Sequence, residues 1–185
     1  MANYQLEPLA AGNAAHHNFE GLSIREITSN TILSCAGNAN EISNITSALS
    51  NSLQLSWPNI GQCSTASNAL CLGLQPDQCF VIIEEGHPNA KEAYSKLNDV
   101  AAVTDQSDGW ITIELSGNRT RDVLERICTI DLDANHFTNH SVARTSMEHL
   151  NVILVRCDED FLMLSPRTSA ESFLHAVVQS AEFVI

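Results

Sequence analysis

The chain has 185 residues, of which 22 are Asp or Glu and 9 are Lys or Arg, so its formal net charge is −13. That charge repels phosphate backbones and anionic lipid surfaces, which argues against nucleic acids and membranes as partners. Hydrophobic residues make up 44% of the chain, enough for a buried core, and no run approaches the roughly 20 apolar residues that span a bilayer. Because the N-terminus also lacks the basic and apolar regions of a secretory signal, we expect a globular cytoplasmic protein.

The first 20 residues are rich in Ala, Asn and His and show no sustained hydrophobic period. Such a composition offers no stripe or face to bury against a core. We therefore expect residues 1–20 to form an extended N-terminal arm.

After the arm, the sequence repeats weakly with a period near 80 residues. Residues 32–49 and 113–127 both show a strand, a Ser/Gly turn ending in Asn, and an amphipathic helix, with Gly37 and Gly117 at the turn. Residues 74–97 are similar in sequence to residues 157–177, and this alignment matches Phe80 with Phe161. The repeat predicts a first half over residues 21–99 and a related second half over residues 100–185.

Each half contains two helix patterns and several short apolar strand patterns. In the first helix Ile42, Ile45 and Leu49 form one apolar stripe, and the other three helices show stripes of the same kind. The strand patterns lie at residues 80–83, 111–115, 152–155 and 161–164. We predict an α+β fold of two related halves, each a small sheet with helices on one face, of the ferredoxin-like or split βαβ kind.

The chain contains none of the sequence motifs that hold a phosphate or build a hydrolase nucleophile. It has no GxGxxG, no Walker sequence, no GxSxG and no HExxH. Its six cysteines form no CxxC pair and mostly lie in or beside apolar runs, where Cys acts as a small hydrophobe. From the residues alone we assign no catalytic, cofactor-binding or metal-binding residue.

Three groups of polar residues are candidate exceptions. His136 and His140 have a helical zinc-ligand spacing, but their segment reads as a loop, where that spacing fixes no geometry. Asp131 and Asp133 could pair for acid–base chemistry, although turn and cap roles are commoner for such residues. Arg167 could clamp a carboxylate, or it could form an ion pair or contact a partner protein.

One segment carries a specific resemblance. D-Q-S-D-G-W-I-T-I-E-L-S-G-N-R-T-R-D-V-L-E-R-I-C-T-I-D-L (105–132) resembles the glycine-cleavage aminomethyltransferase superfamily, and within it the gamma subunit of heterotetrameric sarcosine oxidase. The matching positions include Asp105, Ser107, Gly117, Asp131 and Phe137. D-E-D-F-L-M-L-S-P-R (158–167) is similar to that family's C-terminal part, and L-C-L-G-L-Q-P-D-Q-C (70–79) resembles one of its turns.

The resemblance implies a fold like the folate-binding fold of the aminomethyltransferases and a place in one-carbon metabolism and sarcosine catabolism. Complexes of this family oxidatively demethylate sarcosine, or related secondary amines, and pass the one-carbon unit to tetrahydrofolate. FAD, FMN, NAD, tetrahydrofolate and zinc are then expected on the alpha, beta and delta subunits, and no cofactor on this chain. The resemblance thus implies a non-catalytic subunit of an oxidoreductase heterotetramer, which could form a homo-oligomer when isolated.

A second hypothesis is a stand-alone folate-binding one-carbon protein. It predicts a pocket with an acidic residue directed at the pterin, for which Asp105 and Asp131 are the candidates. The chain length argues against it, because the superfamily's folate site is built by a chain about twice as long. A stand-alone homodimer without a ligand is the third alternative.

Overall fold

A computed structural model describes residues 7–10 and 13–185. Its elements follow one another as β1 (His16–Phe19), β2 (Leu22–Ile27), β3 (Thr31–Ala36), α1 (Ile42–Leu53), β4 (Cys63–Ala66), β5 (Ala69–Gln75), β6 (Gln78–Ile83), α2 (Ala90–Asn98), β7 (Ala102–Asp105), β8 (Trp110–Ser116), α3 (Thr120–Ile127), β9 (Val142–Met147), β10 (Leu150–Cys157), β11 (Asp160–Pro166) and α4 (Ala170–Val184). No helix of the described residues is long and apolar enough to cross a membrane.

The chain divides into two compact units. The first comprises the described residues up to residue 28 together with residues 108–139 and 144–185, and the second comprises residues 29–107 and 140–143. The sequence-based boundaries of 21–99 and 100–185 differ from these because β2 pairs with β8 and so joins the sheet of the later half. Such pairing across the chain leaves no trace in local periodicity.

The first unit contains a six-stranded sheet in the order β1-β2-β8-β11-β10-β9. In its centre Leu115 lies opposite Phe161 and Ile113 opposite Met163, and all four side chains are buried. Helices α3 and α4 pack against each other, and the Ser180 hydroxyl donates a 2.8 Å hydrogen bond to the Val123 carbonyl.

Part of the predicted N-terminal arm belongs to this sheet. Residues 16–19 form β1, which pairs with β2, and the buried carboxylate of Glu26 accepts hydrogen bonds from the backbone N–H groups of Leu9 and Ala15, each at 3.0 Å. The remainder of the arm, residues 1–6 and 11–12, lies outside the described residues.

The second unit contains a five-stranded sheet in the order β4-β5-β6-β3-β7. Helices α1 and α2 supply Ile45, Leu49, Ala93 and Leu97 to a core that also contains alternate residues of β3, β5 and β6. The predicted stripe of the first helix is confirmed in this packing, because burial of one face stabilises a helix more than its propensity does.

The two sheets repeat one topology. The run β4-β5-β6-β3-β7 corresponds strand by strand to β9-β10-β11-β8-β2, with β1 added beyond β2. The predicted fold class is therefore confirmed: the chain is α+β, with two related halves that each combine an antiparallel sheet and two helices.

The predicted alignment of Phe80 with Phe161 is wrong by one residue. Cys79 lies opposite Cys35, and Phe161 lies opposite Leu115. Because Cys35 and Leu115 each lie two residues before the glycine that ends their strand, Cys79 is the counterpart of Phe161. A shift of one residue moves a side chain to the other face of a sheet. The Phe80 and Phe161 side chains therefore lie on non-equivalent faces of the two related sheets.

Candidate functional site

The loop that carries Asp131 and Asp133 is built from turns. The Asp131 carboxylate accepts a 2.9 Å hydrogen bond from the Asp133 N–H, and Asp133 accepts bonds of 2.9 and 2.8 Å from the backbone and side chain of Asn135. The backbone hydrogen bond from Asp133 and the bond with the His136 ring lower the pKa of the Asp131 carboxyl, and the two bonds from Asn135 lower the pKa of the Asp133 carboxyl. Both aspartates therefore have the turn role that their sequence context favours.

His136 and His140 do not share a helix. Residues 134–136 form a turn, and His140 belongs to the second unit with a φ of 66°. The described residues contain no group of three His, Cys, Asp or Glu side chains that could hold a metal ion.

A buried arginine that the sequence analysis did not single out holds this loop. The Arg156 guanidinium donates hydrogen bonds to the carbonyls of Leu132 (3.5 Å), Phe137 (3.0 Å) and Asp158 (2.8 Å), and it lies 5.8 Å from the ring centre of Phe161. Its side chain is only 8% exposed. The signal was present in the sequence, because a single cation ends the otherwise apolar run V-I-L-V-R.

The Asp105-x-Ser107 pattern also stabilises a turn. Asp105 accepts hydrogen bonds from the Ser107 N–H (2.9 Å) and hydroxyl (2.6 Å), and the Ser107 hydroxyl accepts a 3.0 Å bond from the Ile32 N–H. This chain of bonds fixes the residues after β7 against the start of β3.

Arg167 binds backbone rather than a carboxylate. Its guanidinium donates a 3.3 Å hydrogen bond to the Trp110 carbonyl, and its own N–H donates a 3.0 Å bond to the Gly109 carbonyl. Its Nε is buried without a hydrogen-bond partner among the described residues. The first unit thus uses this cation to join the end of β11 to the start of β8.

Four of the six thiols are buried, and three of them meet in the second core. Cys35 lies opposite Cys79. The hydrogen bond with Cys79, together with burial, raises the pKa of Cys35 far above its usual range. The bond with Cys35 lowers the pKa of Cys79, but the bond with Cys71 and burial outweigh it and raise that pKa overall. Protonated thiols of this kind are poor nucleophiles.

A cavity of about 530 Å³ lies in the first unit, where β8 begins and β11 ends. It has both aromatic and polar lining residues, namely Trp110, Arg144, Thr145, Ser146, Asn151, Val152, Ile153 and Pro166. Its volume falls within the range of small-molecule sites. The Arg144 side chain makes no hydrogen bond or ion pair with any described residue, which leaves the charge of this exposed residue available to an anionic group.

A second cavity, of about 640 Å³, lies in the second unit between the end of β3 and the start of β7. Its charged lining residues are the carboxylates Glu41, Asp77 and Asp99. Neither Asp105 nor Asp131 lines either of these two cavities. The acidic residues considered for pterin binding therefore lie outside both spaces.

Comparison with known proteins shows the fold. No protein-family model matches the chain, and no curated protein sequence matches it significantly. Among solved structures it is similar to a chain of the heterotetrameric sarcosine oxidase from Corynebacterium sp. U-96 in complex with pyrrole 2-carboxylate, at 22% identity and a TM-score of 0.77, over 89% of this chain and 86% of that chain.

The chain is also similar to the glycine cleavage system aminomethyltransferase T from Bartonella henselae, at 14% identity and a TM-score of 0.59. That match covers 83% of this chain but only 44% of the other, so the chain spans less than half of the aminomethyltransferase. Both proteins share the two-half α+β fold described above.

Proposed function

We propose that the chain is the non-catalytic gamma subunit of a cytoplasmic sarcosine oxidase-like complex. The observation that carries the proposal is the match to a chain of a heterotetrameric sarcosine oxidase over 86% of that chain's length, at a TM-score of 0.77. In the proposed complex, flavoprotein subunits oxidatively demethylate sarcosine and transfer the one-carbon unit to tetrahydrofolate. FAD, FMN, NAD, tetrahydrofolate and zinc belong to the alpha, beta and delta subunits.

The contacts of the motif residues support a structural role for this chain. Asp105 and Ser107 stabilise one turn, Asp131 stabilises another, and Arg156 holds the loop that follows. These groups are engaged with backbone or with each other, and the raised pKa values of Cys35 and Cys79 keep those two thiols protonated. The described residues therefore offer a scaffold for assembly rather than a nucleophile with an adjacent base.

Co-expression tests the proposal. The chain would be produced alone and together with the alpha, beta and delta subunits of the same organism, and each preparation would be sized and assayed for sarcosine-dependent oxygen consumption. We expect a colourless, inactive chain alone and a stoichiometric complex when all subunits are present. A flavin spectrum on the isolated chain, or an active complex from which it is absent, would overturn the proposal.

A second candidate is a stand-alone folate-binding one-carbon protein, and the cavity beside Trp110 is the observation that favours it. An indole can stack on a pterin ring, and Arg144 could pair with a carboxylate of the same ligand. Titration with tetrahydrofolate, followed by tryptophan fluorescence, tests it with Trp110→Phe and Arg144→Gln. Saturable quenching that Trp110→Phe abolishes and Arg144→Gln weakens would favour this candidate, and an unchanged spectrum would exclude it.

A further inference from the structure

Three of the four outer strands of the two sheets, β4, β9 and β7, differ in what covers them. The edge of β4 is covered, because the Cys63 N–H bonds to the His140 carbonyl and the Val142 N–H bonds to the Gly61 carbonyl, each at 2.8 Å. The edge of β9 meets Cys128, which forms a bridge with Met147. The edge of β7 has no such cover: in the part of the chain that the structure describes, residues 102–105 make no backbone hydrogen bond except to β3.

The register shows which groups of β7 point outward. The Gln106 N–H donates a 2.7 Å hydrogen bond to the Ile32 carbonyl, so Gln106 and Ile32 form one of the hydrogen-bonded residue pairs of the antiparallel ladder. Bonded pairs alternate along an antiparallel ladder, so Thr104 and Ala102 bond to β3. Val103 and Asp105 therefore direct their N–H and C=O groups away from the sheet.

The first unit has an additional strand at the position that corresponds to the outer edge of β7. The counterpart of β7 in the first unit is β2, and β1 pairs with β2 on its outer side. The sheet of the second unit is thus one strand short at the equivalent position. β7 is short, with four residues, and ends in Asp105, but it contains no Pro, Lys or bulge, three of the devices that protect an edge strand from pairing.

The cavity of about 640 Å³ adjoins the same edge and adds a charge preference. It is lined by Ala101 and Ala102 at the start of β7 and by the carboxylates Glu41, Asp77 and Asp99. An added strand antiparallel to β7 runs from the Asp105 end towards the Ala102 end. Its C-terminal residues would therefore reach the carboxylates, where basic side chains are favoured.

We propose that the outer edge of β7 binds an extended segment of a partner polypeptide, antiparallel to β7, with basic side chains at the C-terminal end of that segment. Such strand addition obtains its affinity from main-chain hydrogen bonds and its specificity from side-chain pockets. The inference rests on the proposed subunit function only for the source of the segment, a subunit of the complex, and it places one contact surface of that assembly.

The test uses a chemical probe and the whole chain. The ¹⁵N-labelled protein would be titrated with the peptide acetyl-Thr-Val-Thr-Val-Lys-Lys-amide, and with controls in which Glu replaces both lysines or the lysines stand first. We expect the first peptide to shift the amide signals of Val103 and Asp105 and to slow their hydrogen exchange. The controls should bind on the order of tenfold more weakly, because they lose the charge contacts.

Variants locate the site independently. Val103→Pro removes an outward N–H, and Asp77→Asn with Asp99→Asn removes charge without touching the strand; each should weaken peptide binding by about 3–10-fold. Glu171→Gln with Glu182→Gln, at two exposed positions of α4, is the matched loss of two charges and should leave binding unchanged. If Val103→Pro unfolds, the aspartate variant and the exchange data on the wild-type chain still decide the question.

The outcomes separate this inference from the proposed function. Peptide binding without protection of Val103 and Asp105, or with protection at residues 16–19 instead, would overturn the placement at β7. A complex that assembles equally well with a folded Val103→Pro chain would overturn the inference and leave the subunit function standing. A wild-type chain that binds the peptide at β7 but joins no flavoprotein would support the edge site and refute the subunit function.

Discussion

Replacing Gly117 by Ala is the sharpest test of how the first unit is built. Gly117 ends β8 with a φ of +119°, a region that residues with a side chain rarely occupy. A Cβ at this position would lie 2.3 Å from the Gly21 carbonyl oxygen and 3.0 Å from its carbon. The same carbonyl accepts a hydrogen bond from the Arg119 N–H at 3.2 Å, so it cannot move away without loosening the start of α3.

Two costs add in this variant. Holding an alanine in a sparsely populated backbone region costs about 1–3 kcal/mol, and relieving the overlap with backbone costs about another 1–3 kcal/mol. The expected loss is therefore about 2–6 kcal/mol, a large part of the roughly 5–15 kcal/mol that stabilises a folded protein. For a chain of this length each kcal/mol lowers the melting temperature by about 2–4 °C.

Gly86→Ala is the matched control. Gly86 has a φ of +79°, but a Cβ there would meet no atom within 4 Å. It should cost only the left-handed backbone term, about 1–2 kcal/mol. The difference between the two variants therefore reports the steric contact between Gly117 and Gly21 together with the less accessible backbone conformation of Gly117.

Urea unfolding and calorimetry would measure both variants, and hydrogen exchange of α3 and β8 would locate the loss in the first unit. If Gly117→Ala unfolds at the same urea concentration as Gly86→Ala, the steric argument is wrong. If it melts normally but no longer joins the proposed complex, Gly117 acts at a partner surface rather than in folding.

Three further predictions follow from the site. Arg156→Met should cost about 2–4 kcal/mol in urea unfolding, because buried carbonyls lose a charged donor, whereas Arg126→Met on the surface should cost far less. The lowered pKa of Asp131 contributes stability above about pH 4 that is lost as the pH falls through the folded pKa, so Asp131→Asn should show a weaker loss of stability on acidification; an unchanged pH profile would contradict this. Burial raises the pKa of Cys157 to about 11, and the hydrogen bond with Cys79 together with burial raises the pKa of Cys35 far above its usual range, so Ellman's reagent at pH 8 should react slowly with the native protein and rapidly in urea.

Local features of the fold were predictable because local chemistry determines them. The stripe of Ile42, Ile45 and Leu49 predicted α1, and the glycine after β8 was expected where a strand turns into a helix. The partner of β2 was not predictable, because its pairing with β8 joins residues that are far apart in the sequence. Arg25 and Glu114, which lie opposite each other in this pairing, are 89 positions apart. Nothing in the alternation of either strand specifies the other.

The residues of the candidate site show the same difference between local contacts, which were predictable, and contacts between distant parts of the sequence, which were not. The turn roles of Asp131 and Asp133 involve acceptors and donors two residues apart, so composition alone favoured them. Arg156 reaches carbonyls 19 and 24 residues away, and the one signal in its favour was a charge beside an apolar strand. A buried cation needs several acceptors around it, so a lone Arg beside a central strand indicates a neighbouring loop whose carbonyls surround it.

The positions that carry the family resemblance have one physical role in common. Gly117 permits a backbone turn, Asp105 and Asp131 close Asx-type turns, and Phe137 presents its carbonyl to Arg156. Each of these interactions fixes where a loop leaves or joins a sheet, and none leaves a reactive group directed into a cavity. Because these residues fix loops to sheets, they support the assembly role that we propose for this chain, and the outer edge of β7 is where we expect its contact with a partner.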